Sequence, residues 1–282
     1  MNILSIQSHV AYGHVGNSAA VFSLQRMGVE EWPIHTVQFS NHTGYGNWQG
    51  RMFDAGLIRE VMGGIEQRGA LSECDGVLSG YMGGADVGAA ILDAVAAVKR
   101  ANPSARYACD PVIGDAGRDI FVARDIPEFM KERAVPAADI ITPNQFELDY
   151  LAGCESRTLA DVLAAVKIVH GLGPHAVLVT SLQTEDTPAD AIDLLASDAT
   201  GRFRLRTPKL PLIVNGAGDA IAALFFAHYL RSGRIEEALS RATSAIFGVL
   251  TKTAEVSASE IQLIAAQDEI VQPSRVFEVE EL

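Results

Sequence analysis

The sequence predicts an α/β fold: one domain over residues 1–282, with a mostly parallel central sheet covered by helices on both faces and a small appended hairpin. Three observations predict it. Short β-like runs alternate with helical patterns over the first two thirds of the chain. Several of those runs are almost continuously apolar, as strands covered on both faces are. Finally, 48% of the 282 residues are apolar and no stretch reads as an interdomain linker, which fits one large core.

Strands are expected at Ile3–Gln7, Ile34–Phe39, Gly76–Ser79, Tyr107–Asp110, Asp139–Thr142 and Ala176–Thr180. Between them, helices are expected at Asn17–Met27, Ala85–Arg100, Gln145–Leu151 and Leu159–His170. Within the second helix Val87, Ile91, Val95 and Val98 recur at helical spacing. Ala191–Leu195 and Phe203–Arg206 flank the turn Asp198-Ala199-Thr200-Gly201 and read as the appended hairpin. The last third is expected to be helical, at Asp219–Leu230, Ile235–Leu250 and Ser259–Ala266. The tail, residues 267–282 with Glu278, Glu280 and Glu281, reads as a solvated or lightly packed end.

Composition removes several classes of function. Lys and Arg total 22 against 35 Asp and Glu, a net charge of −13, which opposes nucleic-acid binding. Backbone N–H groups still allow an anionic ligand on an acidic protein. No run spans a bilayer, Ala220–Ala227 being far too short, and no leader precedes Ile3. Three dispersed cysteines, Cys74, Cys109 and Cys154, form no zinc or disulfide pattern and fit a reducing cytoplasm. The P-loop, dinucleotide, H-E-x-x-H and G-x-S-x-G patterns are all absent. His9 and His14 lie in a Gly-rich loop and read as loop hydrogen-bonding residues rather than metal ligands.

Five polar segments leave the expected strands at their carboxyl ends, where open sheets bind ligands. They begin at Ser8, Ser40, Ser79, Asp110 and Thr142. A sixth segment, Asn215-Gly216-Ala217-Gly218-Asp219, precedes a strongly apolar helix. Free N–H groups at a helix mouth and bare glycyl backbone favour an anion. A carboxylate beside them, Asp219, suits proton abstraction from an attacking hydroxyl. The plainer alternative is a helix N-cap on a turn; an apolar helix, buried on all sides, would open its N-terminus into a cleft and favours the first reading.

Gly216-Ala217-Gly218-Asp219 resembles the C-terminal signature of the ribokinase superfamily. The segments Ser5–Ala20, Thr36–Tyr45, Leu78–Tyr81, Cys109–Val112 and Ile141–Glu147 resemble, in order, those of the pyridoxal kinases. The resemblance implies a ribokinase-like fold and ATP-dependent phosphorylation of the 5′-hydroxymethyl group of pyridoxal, with pyridoxine and pyridoxamine as further candidate substrates. It implies Asp219 as base, Gly216, Ala217 and Gly218 as anion hole, and Ser8, Thr43, Gly44 and Tyr81 around the vitamer ring. Taken alone, Ser8 and Thr43 read as turn residues and Tyr81 as a packing residue. Asp110 and Glu147 match acidic residues near the triphosphate and its Mg²⁺, and Thr142 and Asn144 match polar residues lining the phosphates. Thr180 and Ser181 are similar to the eukaryotic members, whose hydroxyls approach the phosphates, whereas many bacterial members carry lysine at the Thr180 position. Phosphate neutralisation then falls to Mg²⁺, the anion hole and a monovalent cation such as K⁺. A homodimer is also implied. The rival readings are a hydroxymethylpyrimidine kinase of the same superfamily and a non-catalytic pyridoxal phosphate or nucleotide binder.

Overall fold

The computed structural model describes residues 1–282. In chain order its strands are β1 (Asn2–Val10), β2 (Glu30–Phe39), β3 (Gly50–Met52), β4 (Gly76–Ser79), β5 (Arg106–Cys109) and the small pair β6 (Gly114–Asp115) and β7 (Asp119–Ile120). There follow β8 (Ile140–Ile141), β9 (Ala176–Leu182), β10 (Ala191–Asp198), β11 (Gly201–Pro208) and β12 (Glu280–Glu281). The helices are α1 (Asn17–Arg26), α2 (Ala55–Gln67), α3 (Ala85–Ala101), α4 (Ile126–Phe129), α5 (Val135–Ala137) and α6 (Gln145–Ala152). The last four are α7 (Leu159–His170), α8 (Ala217–Ser232), α9 (Ile235–Glu255) and α10 (Gln267–Val271).

Alternation along the strands builds two cores. Ile3, Leu78, Ala108, Ile140 and Leu178 face one side of the sheet, with α1, α8, α9 and α10 packed over them. Leu4, Val77, Tyr107, Ile141 and Val177 face the other, under α2 to α7. Both faces are therefore dry, which is why these strands read as continuous apolar runs. Ten strands form the main sheet in the order β12-β11-β10-β9-β8-β5-β4-β1-β2-β3. The pairs from β2 through β1, β4, β5 and β8 to β9 are parallel. The hairpin β10–β11 continues the sheet antiparallel from β9, with Asp198 opposite Gly201 across a two-residue turn. From β1 the chain moves to β2 on one side and β4 on the other, a reversal that opens a crevice at the carboxyl ends of the strands.

Several expectations need correcting. Ser259–Ala266 is not helical. Ile261 and Leu263 are buried in alternation, the Gln262 amide donates to Thr253 Oγ1, and Glu260 bridges Asn215; helix begins only at Gln267. The tail is solvated along most of its length, Glu278, Glu280 and Glu281 being exposed, but it is anchored at a few points. Ile270 and Phe277 are buried, Ser240 donates to the Phe277 carbonyl at 2.6 Å, and β12 pairs with β11. The expected strand Asp139–Thr142 pairs only at Ile140–Ile141, because the Asp139 carboxylate accepts the Tyr107 amide at 2.7 Å and the Thr142 side chain turns toward Asp110. No helix is long and apolar enough to cross a membrane.

Candidate active site

Helix α8 carries the centre of the site. Its residues Ala220–Ala227 are all buried, so the helix is a core element whose N-terminus opens at the strand ends. Gly216 stands at the N-cap with φ +88°, and a Cβ there would collide with the His14 carbonyl oxygen; only glycine fits. No side chain caps the helix at Gly216, so the Ala217 and Gly218 N–H groups open toward the crevice without a protein acceptor. Nothing in the protein lies within 4 Å of the place a Gly218 Cβ would occupy.

A cavity of about 550 Å³ lies at this helix mouth. All the residues singled out in the sequence line it: Ser8, Thr43, Gly44, Tyr81, Asp110, Thr142, Asn144, Glu147, Thr180, Ser181, Gly216, Ala217, Gly218 and Asp219. None of them lies elsewhere. The lining brings together the ends of β1, β4, β5, β8 and β9 and the start of α8.

Three buried or half-buried carboxylates share this space. Burial pushes Asp219 above the ordinary carboxylate range, while the Gly16 amide and its own amide act in the opposite sense. Asp110 is raised well above its usual range by burial and then by the charges of Glu147 and Asp219. Its Oδ1 accepts from the Thr142 hydroxyl at 2.8 Å, and no protein donor reaches Oδ2. Burial lifts Glu147 to about 7 against the pull of the Ile113, Asn144 and Gly114 amides. Glu147 and Asn144 form a capping box at the start of α6, so these two residues also do the work of a helix N-terminus. Asn144 spends its amide as well, Nδ2 donating to the Gly114 carbonyl at 2.9 Å.

At the other end, Gly16 takes φ +55° where a Cβ would strike Ser8, so the Gly-rich loop folds back over the end of β1 and His9 bridges Gly16. Tyr81 is half-buried and its carbonyl accepts the Thr36 hydroxyl at 2.7 Å. Thr43 and Gly44 sit in an exposed turn of 3₁₀-helix capped by His42, whose ring accepts the Gly44 amide at 3.1 Å. Glu260 ties these loops together. Its Oε2 accepts the His14 amide at 3.1 Å, its Oε1 accepts from the Tyr45 hydroxyl, and its backbone bridges Asn215.

Strand β9 is bulged where it meets the cavity. Leu182 pairs with Asp193 and Val179 with Leu195, so three steps oppose two, and Ser181 takes φ +56°. A bulge of this kind re-aims a side chain, here placing Ser181 on the cavity wall. Reasoning from the sequence placed Asn215, Asp115 and His42 in its polar segments without giving them a role and missed Arg118 altogether; all four also line the cavity. Arg118 lies beyond β6 in Asp115-Ala116-Gly117-Arg118-Asp119; a Gly-Arg turn closely following Asp110 was the available signal.

Deep carboxylates, an uncapped helix mouth and a crevice at a sheet reversal define a small-molecule kinase of the ribokinase-like class. The comparisons agree. A family model described as phosphomethylpyrimidine kinase matches residues 82–263. The pyridoxal kinase PdxY of Rubrobacter xylanophilus is 58% identical over 99% of this chain and 97% of its own. That of Corynebacterium diphtheriae is 50% identical over 100% of both. Among solved structures, the pyridoxal kinase from Leishmania donovani in complex with ADP and pyridoxamine superposes with a TM-score of 0.91 at 31% identity, covering 100% of this chain and 99% of that one. The chain belongs to the pyridoxal kinase family.

Proposed function

We propose that the chain transfers the γ-phosphoryl group of ATP to the 5′-hydroxymethyl group of pyridoxal, with Asp219 as base. The observation that carries the residue assignment is that Asp219 and the bare helix mouth Gly216–Gly218 share one cavity with Ser8, Thr43 and Tyr81. The vitamer oxygen attacks the γ-phosphorus, the bond to the β,γ-bridging oxygen breaks, and the hydroxyl proton passes to the Asp219 carboxylate. ADP leaves with the bridging oxygen. Ser8, Thr43 and Gly44 address the polar edge of the ring, and Tyr81 offers an aromatic wall. The N–H groups of Ala217 and Gly218 receive the charge that spreads over the phosphoryl oxygens. Thr180, Ser181, Asn144 and Thr142 line the nucleotide side, the last acting through Asp110.

The residues present fit Mg²⁺. No three acids, histidines or cysteines form a protein cage, yet Mg²⁺ usually takes only one or two carboxylates, with waters and phosphates completing its shell. Asp110, with Oδ2 free of protein donors, would hold it directly, and Glu147, whose oxygens already accept amides, through water. When bound, Mg²⁺ neutralises charge on the β- and γ-phosphates. The K⁺ requirement, the homodimer and the cytoplasmic setting belong to the same proposal; buried free thiols at Cys74 and Cys109 suit a reducing compartment.

Asp219→Asn tests the reading. Removing a general base typically costs about 10²–10⁴-fold, so pyridoxal 5′-phosphate formation should fall at least a hundredfold with ADP binding retained; a loss under tenfold removes Asp219 from the role. The phosphomethylpyrimidine kinase model match motivates one rival. It covers none of the Ser8–Ser18 segment, so a parallel assay should favour pyridoxal over hydroxymethylpyrimidine. Tight binding without turnover would favour a non-catalytic binder.

A further inference from the structure

The cavity is short of positive charge. Asp110, Asp115, Glu147 and Asp219 line it, and the sole lysine or arginine among its lining residues is Arg118. The hydroxyls of Thr180 and Ser181 bring dipoles but no charge. A nucleoside triphosphate meeting this lining needs a cation beyond what the helix mouth supplies, and Arg118 is the one the protein offers.

Arg118 is placed for that work. The hairpin β6–β7 that carries it is anchored at its base, where the Ile113 amide donates to Glu147 Oε1 at 2.9 Å and Asn144 Nδ2 donates to the Gly114 carbonyl at 2.9 Å. Its turn is closed by the Arg118 amide donating to the Asp115 carbonyl at 3.0 Å, with Gly117 at φ +79°. The guanidinium forms no ion pair with any carboxylate of the protein; its one hydrogen bond is from Nη1 to Asn215 Oδ1, long at 3.4 Å. Asn215 is the residue immediately before Gly216, so the uncommitted cation sits beside the start of the anion hole. Arginine forks suit phosphoryl oxygens, and an arginine supplied to a transferring phosphoryl group acts on the transition state more than on binding.

We propose that Arg118 is a catalytic residue, its guanidinium contacting the non-bridging oxygens of the phosphoryl group as it crosses between nucleotide and vitamer. This rests on the reading of the cavity as the phosphoryl-transfer site. The test compares wild type with Arg118→Lys and Arg118→Ala in one pyridoxal 5′-phosphate assay, with and without added guanidinium chloride at millimolar concentration, alongside thermal melting. Wild type must turn over; if it does not, the reading of the site fails and not the placement of the arginine. Given active wild type, Arg118→Ala is expected to lose about 10²-fold in kcat or more, with KM for pyridoxal changed less than threefold. Free guanidinium should restore part of that kcat, and the melting temperature should hold, because the residue is exposed. A kcat within threefold of wild type overturns the proposal. So does a loss that guanidinium does not rescue, which would make Arg118 a structural prop of its hairpin.

Discussion

Glu31 is the residue most out of keeping with its surroundings. It is buried on β2, and neither carboxylate oxygen has a hydrogen-bond partner; the nearby Ser5 hydroxyl is committed to Asn17 Oδ1 at 2.6 Å. Burial, opposed by Ser5 and reinforced by Glu30, raises it to about 8 from an ordinary 4.5. The folded state therefore holds a proton that the unfolded chain releases. Its contribution is fully favourable below about 4.5 and is lost as pH rises toward about 8. Glu31→Gln keeps the shape without the titration. It should stabilise the fold by about 1–3 kcal/mol at pH 8, with little gain at pH 4.5. Melting curves of both proteins across that range check it, and a gain independent of pH would rule out titration of Glu31 as the cause.

At the scale of elements, the site depends on how three distant segments are clipped together. Glu260 bonds the Gly-rich loop through His14, the 3₁₀ turn through Tyr45 and the lead-in to α8 through Asn215. Glu260→Ala frees all but the backbone bridge. It should raise KM for pyridoxal about tenfold, lower kcat less, and cost roughly 1 kcal/mol, or about 2–4 °C in melting temperature. An unchanged KM would mean that the loops hold their places without it. This clip was not legible in the sequence, because Ser259–Ala266 reads as helix there and Glu260 has no motif of its own. Helix α2 escaped for a different reason: Ile58, Met62 and Ile65 keep helical spacing and Asp54 caps it, but Gly56, Gly63 and Gly64 lower its helix propensity. The prolines Pro127 and Pro136 similarly hide the short helices α4 and α5, where they occupy first-turn positions.

Over the whole molecule, what could be read early was what both periodicity and burial repeat. The strands β1, β4, β5 and β9 announce themselves because two cores claim their opposite faces. Many of the candidate site residues were legible because they lie in polar segments at strand ends or at the mouth of α8, which the sheet reversal brings together; Thr180 and Ser181, within β9, came only from the family resemblance. Arg118 was not legible, since the two-residue strands on either side carry no periodicity and only the Gly117-Arg118 turn marks the place. The gathered acids carry one further expectation for the molecule as a whole. Chelation with EDTA should abolish turnover yet leave the melting temperature of the ligand-free protein where it was, because no all-protein cage exists to be emptied. A melting temperature that drops with EDTA would instead reveal a structural ion.

Gly218 sets the protein's two interests against each other. With open space where a side chain would begin, alanine there would meet no obstacle, and in the first turn of a helix it is the better former by up to about 1 kcal/mol. A breeder selecting only for heat resistance would accept that exchange. If the helix mouth holds phosphate as proposed, its methyl group would then stand where the oxygens belong, giving a hardier but idle protein.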